Sequence, residues 1–146
     1  MSKDLWILGI SRGHNSGVCL TKNGKIVFAI EEERLSRNKY DGSPFASMIK
    51  VLEYTDKIDE MFISHTTSIQ SAGKVEFTGD DVYTGMARKL GLIDQHCNPH
   101  EHPQVHDISH QHHKIHAACA FYRSEFNDAV AVIVDGCGSI QDIRVN

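Results

Sequence analysis

Four of the chain's ten histidines fall within seven consecutive positions, at His110, His112, His113 and His116. Neutral imidazole nitrogens bind zinc and iron(II), usually beside a carboxylate. His112 and His116 are four residues apart, so on a helix both rings reach a single ion from one face. Asp135 is the expected carboxylate, because it follows the apolar run 129–134 at what reads as the C-terminal end of a strand. Strand ends of that kind are where α/β sheets build their sites. The competing reading is a solvated polar start to an amphipathic helix, and spacing alone leaves both open. A second set, His96, Cys97, His100 and His102, has the composition of a metal site. Its spacing matches no standard zinc module and Pro99 and Pro103 interrupt it, so a histidine-rich surface loop is preferred.

Two further stretches carry chemistry. "GISRGHNSGVCL" (9–20) puts Ser11, His14 and Asn15 in one turn, where backbone N–H groups can approach a phosphate. An ordinary hairpin loop is the alternative, since small polar residues favour turns anyway. His14 stands out there as a general base able to work near neutral pH. In "EEERLSRNKY" (31–40) a continuing strand would alternate Glu31 and Glu33 against Glu32 and Arg34. At least one acid then faces the covered side of a sheet, where it needs a partner.

The elements that must position these residues follow from the hydrophobic pattern. "LWILGIS" (5–11) reads as a buried strand. Two more strand-like runs follow, joined by Asn23-Gly24, a strong signal for a type I′ hairpin turn. Residues 43–55 read as a helix with Ser43 as N-cap and Pro44 at the first helical position. A short strand at 58–65 and a loop or irregular hairpin at 68–79 come next. Asp80 or Asp81 could cap a helix that stops near Gly91, and 93–104 is loop. A strand at 105–109, a helix at 111–123 and a buried strand at 129–136 complete the order. Three antiparallel strands followed by alternating helices and strands predict an α/β fold, a five-stranded mixed sheet with helices on both faces. That order is the one found in the ribonuclease-H-like unit of actin, sugar kinases and heat-shock ATPases. Two such units follow one another in that superfamily, so residues 1–128 are expected to be a first lobe. Residues 129–146 would open a second, with Gly136 and Gly138 in a phosphate-facing turn.

Size and charge narrow the function classes. The 146 residues suffice for one domain with its own core, and 40% hydrophobic with 23% charged residues is a globular composition. A net charge of -4 argues against direct binding to a nucleic-acid backbone. No leader and no membrane span are expected, since the first apolar run is too short for either. Cys19, Cys97, Cys119 and Cys137 are scattered without a CxxC pair, which points to a reducing cytoplasm.

"GISRGHNSGVCL", "AIEEERLSRNKYDGSPFASM" and "HHKIHAACAFYRSEFNDAVAVIVDGCG" together resemble the N-terminal part of the carbamoyltransferases of the nodulation-factor and antibiotic-tailoring family. The resemblance covers residues 5–38 and 105–138 and is thin over 56–104. It implies an actin-like transferase domain related to the tRNA threonylcarbamoyladenosine transferases. It also implies transfer of a carbamoyl group from carbamoyl-adenylate to a hydroxyl of a small molecule. By the same resemblance His112, His116 and Asp135 match ligands of a divalent metal, iron(II) or zinc, and His14 matches the group that activates the acceptor. ATP and carbamoyl phosphate would be used by a separate adenylate-forming domain. Ser139 stands where the family usually has an acid. The expected partner is a polypeptide carrying the second lobe or a further copy of the chain. The alternative is a non-catalytic, metal-binding or self-associating remnant domain.

Overall fold

In Trp6–Ser11 (β1), Gly17–Lys22 (β2) and Glu60–Ser64 (β4), every second side chain is buried. Period-two burial is what a pleated strand imposes when one face of its sheet is covered. The computed structural model describes residues 3–12, 15–64, 76–77, 80–95 and 102–135. β2 and Lys25–Glu31 (β3) meet at Asn23 and Gly24, with φ of 51° and 78°, the two positive values a type I′ turn demands. β1 pairs antiparallel with β2 and parallel with β4, and β4 pairs parallel with Val105–Asp107 (β7). The resulting five-stranded sheet has the order β3-β2-β1-β4-β7. Glu76–Phe77 (β5) and Asp80–Asp81 (β6) pair antiparallel as a separate two-stranded sheet, whose second strand falls on the two residues expected to cap the next helix.

One sheet face carries Leu8, Ile10, Val18, Leu20, Met61 and Ile63, all buried. Met48 and Val51 cover it from the helix Phe45–Lys50 (α2) and the 3-10 turn that continues it. Tyr83 and Ala87 cover it from Val82–Lys89 (α3). α3 stops at Gly91 (φ 76°) through two bonds, Leu92 N–H to the Ala87 carbonyl at 2.9 Å and Gly91 N–H to Arg88 at 3.0 Å. This is the Schellman arrangement, and it tucks Leu92 into the core. The opposite face presents the cross-strand row Ala29, Cys19, Gly9, Phe62 and His106, mostly small residues. The last helix, His112–Arg123 (α4), borders that face through Ile115 and Cys119 and has no buried residue of its own. No helix among the described residues is long and apolar enough to cross a membrane.

Two expectations are corrected. The helix at 43–55 is not capped by Ser43: it starts at Phe45, with Pro44 in the cap position and no side-chain cap from either. Its free amides go instead to a distant acid. Glu32, 3% exposed, accepts from the Ala46 and Ser47 N–H groups at 2.8 Å each and from Ser47 Oγ at 2.6 Å. The strand also ends at Glu31, and Glu33–Ser36 (α1) is a helical turn. The expected acid in need of a partner is therefore Glu32, aimed by a turn.

The second correction concerns residues 129–135, which join no ladder among the described residues. Val130, Val132 and Val134 are 92%, 82% and 93% exposed, so the run is not the buried strand its composition predicts. β-propensity reflects packing against neighbouring strands, and none is supplied here among the described residues.

The start of β1 is pinned by Asp59, whose carboxylate accepts from Lys3 Nζ at 2.7 Å and from the Trp6 N–H at 2.9 Å. The Lys3 hydrogen bond foremost, then that of Trp6, holds the Asp59 carboxyl below its usual range. A depressed folded-state value stabilises the fold above the ordinary carboxylate pKa, and the contribution is lost as pH falls through the folded value. Asp59→Asn is therefore expected to be less stable than the parent at neutral pH. The two should keep their gap from pH 7 down to about pH 4 and converge as urea midpoints are followed further down, through the depressed folded value. A constant gap at all pH values would assign Asp59 no linked role.

Candidate metal centre

α4 is entered through the 3-10 turn Ser109–Gln111, which swings the chain off β7 and sets His112 at the first helical position. One turn later His116 lies over it. The two Nε2 atoms are 3.2 Å apart, with ring centroids 4.6 Å apart at 90°. Asp135 Oδ2 sits 2.8 Å from His112 Nε2 and 3.9 Å from His116 Nε2. The ligand atoms of these three residues all lie within 4.8 Å of one another. The side chains grade from the 14% exposed His112 through Asp135 at 32% to His116 at 55%, so the centre is open on one side.

The donor set itself tests whether a cation fits. His112 Nε2 is met by a carboxylate oxygen and by a second imidazole nitrogen. A neutral ring nitrogen carries either one proton or one lone pair, so one proton can serve only part of this meeting. A divalent ion satisfies all three lone pairs at once, and two imidazoles with one carboxylate are ligands that zinc and iron(II) accept. The residues fit the group. The helical spacing predicted the histidine pair, and Asp135 joins it although its segment is not the strand expected to deliver it.

The remaining sequence candidates separate. Ser11 and Asn15 line one cleft of about 690 Å³, with Ser64, Glu31, Ile115 and Cys119 also on its walls. The turn that bears them is fixed from below. Ser16 donates through N–H (2.9 Å) and Oγ (2.8 Å) to the Asp41 carbonyl, and Asn15 Nδ2 donates to Glu33 Oε2 at 3.4 Å. Burial pushes the Cys19 thiol up, which keeps it neutral in the same cleft. His14, Gly136 and Gly138 lie outside the described residues.

Of the rival histidine loop, His96, Cys97 and His100 also lie outside the described residues. His102 is buried and both its ring nitrogens are engaged: Nε2 is 2.7 Å from the Asp94 carbonyl, and Nδ1 accepts the Gln104 N–H at 3.2 Å. It pins a loop. His110, fourth of the cluster, pairs with its neighbour Gln111 at 3.2 Å. Sequence reasoning missed the tie from Glu33 to Asn15 and the approach of His113 to Asp135, at 4.0 Å. The dense acidic run was a signal for the first, and adjacency to His112 the only one for the second.

A family model described as the carbamoyltransferase N-terminus matches residues 6–72. The uncharacterized protein sll1178 of Synechocystis is 27% identical over 158 aligned positions, covering 90% of this chain and 25% of its own length. The uncharacterized protein MJ1051 of Methanocaldococcus jannaschii is 32% identical over 133 positions, covering 90% and 22%. The chain thus spans about a quarter of the length of these relatives. No solved structure matches it.

Proposed function

Since residues 6–72 carry a carbamoyltransferase N-terminal domain, we propose that this chain is the first lobe of a carbamoyltransferase acting on a hydroxyl of a small molecule, with carbamoyl-adenylate as donor. The observation that carries the reading is the His112–His116–Asp135 triad, lying outside the matched residues yet in the order the family resemblance implies. The strand order β3-β2-β1-β4-β7 supports a ribonuclease-H-like, actin-like lobe over 1–128. In this reading 129–146 opens the second lobe, and the exposed valines of 129–134 meet that lobe's strands. A polypeptide carrying the second lobe is the favoured partner.

In this reading His112, His116 and Asp135 hold iron(II) or zinc, which supplies a template and a Lewis acid for the oxygens of the donor. The chain's own residues do the rest. His14 takes the proton of the acceptor hydroxyl as that oxygen attacks the carbamoyl carbon and the adenylate phosphate leaves. Ser11 and Asn15, on the walls of the cleft, are assigned to the phosphate in this reading, and Gly136 and Gly138 are assigned to it by the resemblance. ATP and carbamoyl phosphate are consumed in making the adenylate, in sequence that the longer relatives have room for. A metal-binding remnant without catalysis is the second reading, favoured only by the exposure of 129–134.

Metal affinity tests the site directly. His116→Ala is expected to weaken zinc binding by about 100-fold, since even the loss of an outer partner costs 10–100-fold. His102→Ala should lower the melting temperature, because it removes the two bonds described above, while zinc affinity stays within about threefold of the parent. Equal loss of affinity in both variants, measured by competition with a chromogenic chelator, would move the site to the upstream loop.

A further inference from the structure

Arg12 is a half-buried cation whose guanidinium meets no acceptor oxygen among the described residues. It follows Ser11 at the carboxyl end of β1. Its backbone N–H donates to the Ser64 carbonyl at 3.0 Å, where the parallel strand β4 also ends. Leu8 and Ile10 are buried in the covered face, and Arg12, two residues on, continues their side. Its guanidinium carbon lies 5.8 Å from the ring centroid of Tyr83, the buried tyrosine of α3. A π face holds a cation there by its quadrupole and leaves the N–H donors of the guanidinium unspent.

Other cations at similar burial are paired. Lys22 and Lys50 are also half-buried, and each meets a carboxylate, Asp4 at 2.7 Å and Glu53 at 2.8 Å. A charge drawn partly out of water is costly unless an opposite charge meets it. The place where Arg12 stands is one where an anion is useful, because α/β sheets bind ligands beyond the carboxyl ends of their strands. A guanidinium offers its donors as a planar fork that matches two oxygens of a phosphate or a carboxylate. Arg12 is not on the walls of the cleft that holds Ser11 and Asn15, so its anion lies over the strand ends on the α3 side. We propose that Arg12 anchors a phosphoryl group at the carboxyl ends of β1 and β4, with Tyr83 holding the guanidinium in place from below. The site rests on this geometry alone. The choice of a phosphoryl group over a carboxylate rests on the phosphate-bearing donor of the reading above.

The test uses the 146-residue chain, freed of metal by a chelator so that no ion at the triad captures phosphate. Inorganic phosphate, AMP and acetate are titrated separately by calorimetry at constant ionic strength. The parent should bind phosphate and AMP saturably and acetate more weakly. Arg12→Met, which keeps an apolar stem against Tyr83 and removes the fork, should weaken both phosphate and AMP about tenfold, the cost of a lost hydrogen-bonded charge. Arg12→Lys should recover only part of that loss, since an ammonium restores the charge without the fork. Urea midpoints close to the parent's establish that both variants fold. AMP bound more tightly than phosphate supports the site and assigns it to a nucleotide; equal affinities support it with phosphate alone recognised. Absence of saturable phosphate or AMP binding by the parent overturns the proposal. Phosphate binding that survives Arg12→Met overturns it as well, and leaves the assignment of Ser11 and Asn15 standing. Acetate bound as tightly as phosphate overturns the phosphoryl assignment.

Discussion

Glu32→Ala is expected to lower the free energy of unfolding by about 3 kcal/mol, the value for a buried charged partner removed from its donors. Glu32 is 3% exposed, and its carboxylate takes both N–H groups of the first turn of α2 and the Ser47 hydroxyl. Alanine leaves the buried Ser47 donors and the part-buried Ala46 N–H without their acceptor. The hydroxyl alone keeps an alternative, the Pro44 carbonyl at 3.1 Å. The consequence spreads, because α2 carries Met48 onto the sheet's covered face. Glu32→Gln keeps the shape but turns an NH2 toward an N–H donor, so it should recover less than half of the loss. Urea midpoints at constant slope measure both variants. A loss below about 1 kcal/mol for Glu32→Ala would mean that solvent reaches the α2 terminus after all.

That bond also marks where the sequence stopped being legible. Asn23-Gly24 announced the hairpin because both residues accept positive φ, a property of the residues themselves. The alternation of β1 and β2 announced the covered face for a similar reason. The cap of α2 was misassigned because Ser43 and Pro44 satisfy every local rule for a helix start. The group that won is 14 positions upstream of the amide it binds. Local spacing cannot see a charged acceptor brought in by another element.

The candidate site divides in the same way. The His112–His116 pair was legible since both rings lie on one helix and 3.6 residues per turn fixes their relation. Asp135 was found through the expectation of a strand end, and it arrives without the strand. Composition made "AVAVIV" a strand, but a strand is a relation to a neighbour, and Val130, Val132 and Val134 have none among the described residues. His102 shows the converse: a histidine in a metal-like set whose two nitrogens are spent on loop backbone. Residue type does not separate it from a ligand; the non-standard spacing and the prolines at 99 and 103 were the signals against it.

Carbamoyl transfer by the 146-residue chain alone should be undetectable with carbamoyl phosphate, ATP and a hydroxyl acceptor. The reaction needs donor, acceptor and base held in line, with water kept from the donor. His116 is 55% exposed and the apolar wall beside it ends in exposed valines, so water meets any donor bound at the triad. A loosely held adenylate then hydrolyses or leaves before the acceptor arrives. Supplying the polypeptide that corresponds to the remaining three quarters of the longer relatives should restore turnover. That polypeptide would cover residues 129–134 and close the site. In the restored enzyme His14→Ala should reduce transfer by about 10²–10⁴-fold, the usual contribution of a positioned general base. Zinc affinity should be unchanged in that variant, since His14 is not assigned to the metal. Rapid transfer by the chain alone would sink the half-enzyme reading, because an exposed triad would then suffice. Turnover that returns with the partner but survives His14→Ala intact would keep the two-lobe assembly and move the proton to another base.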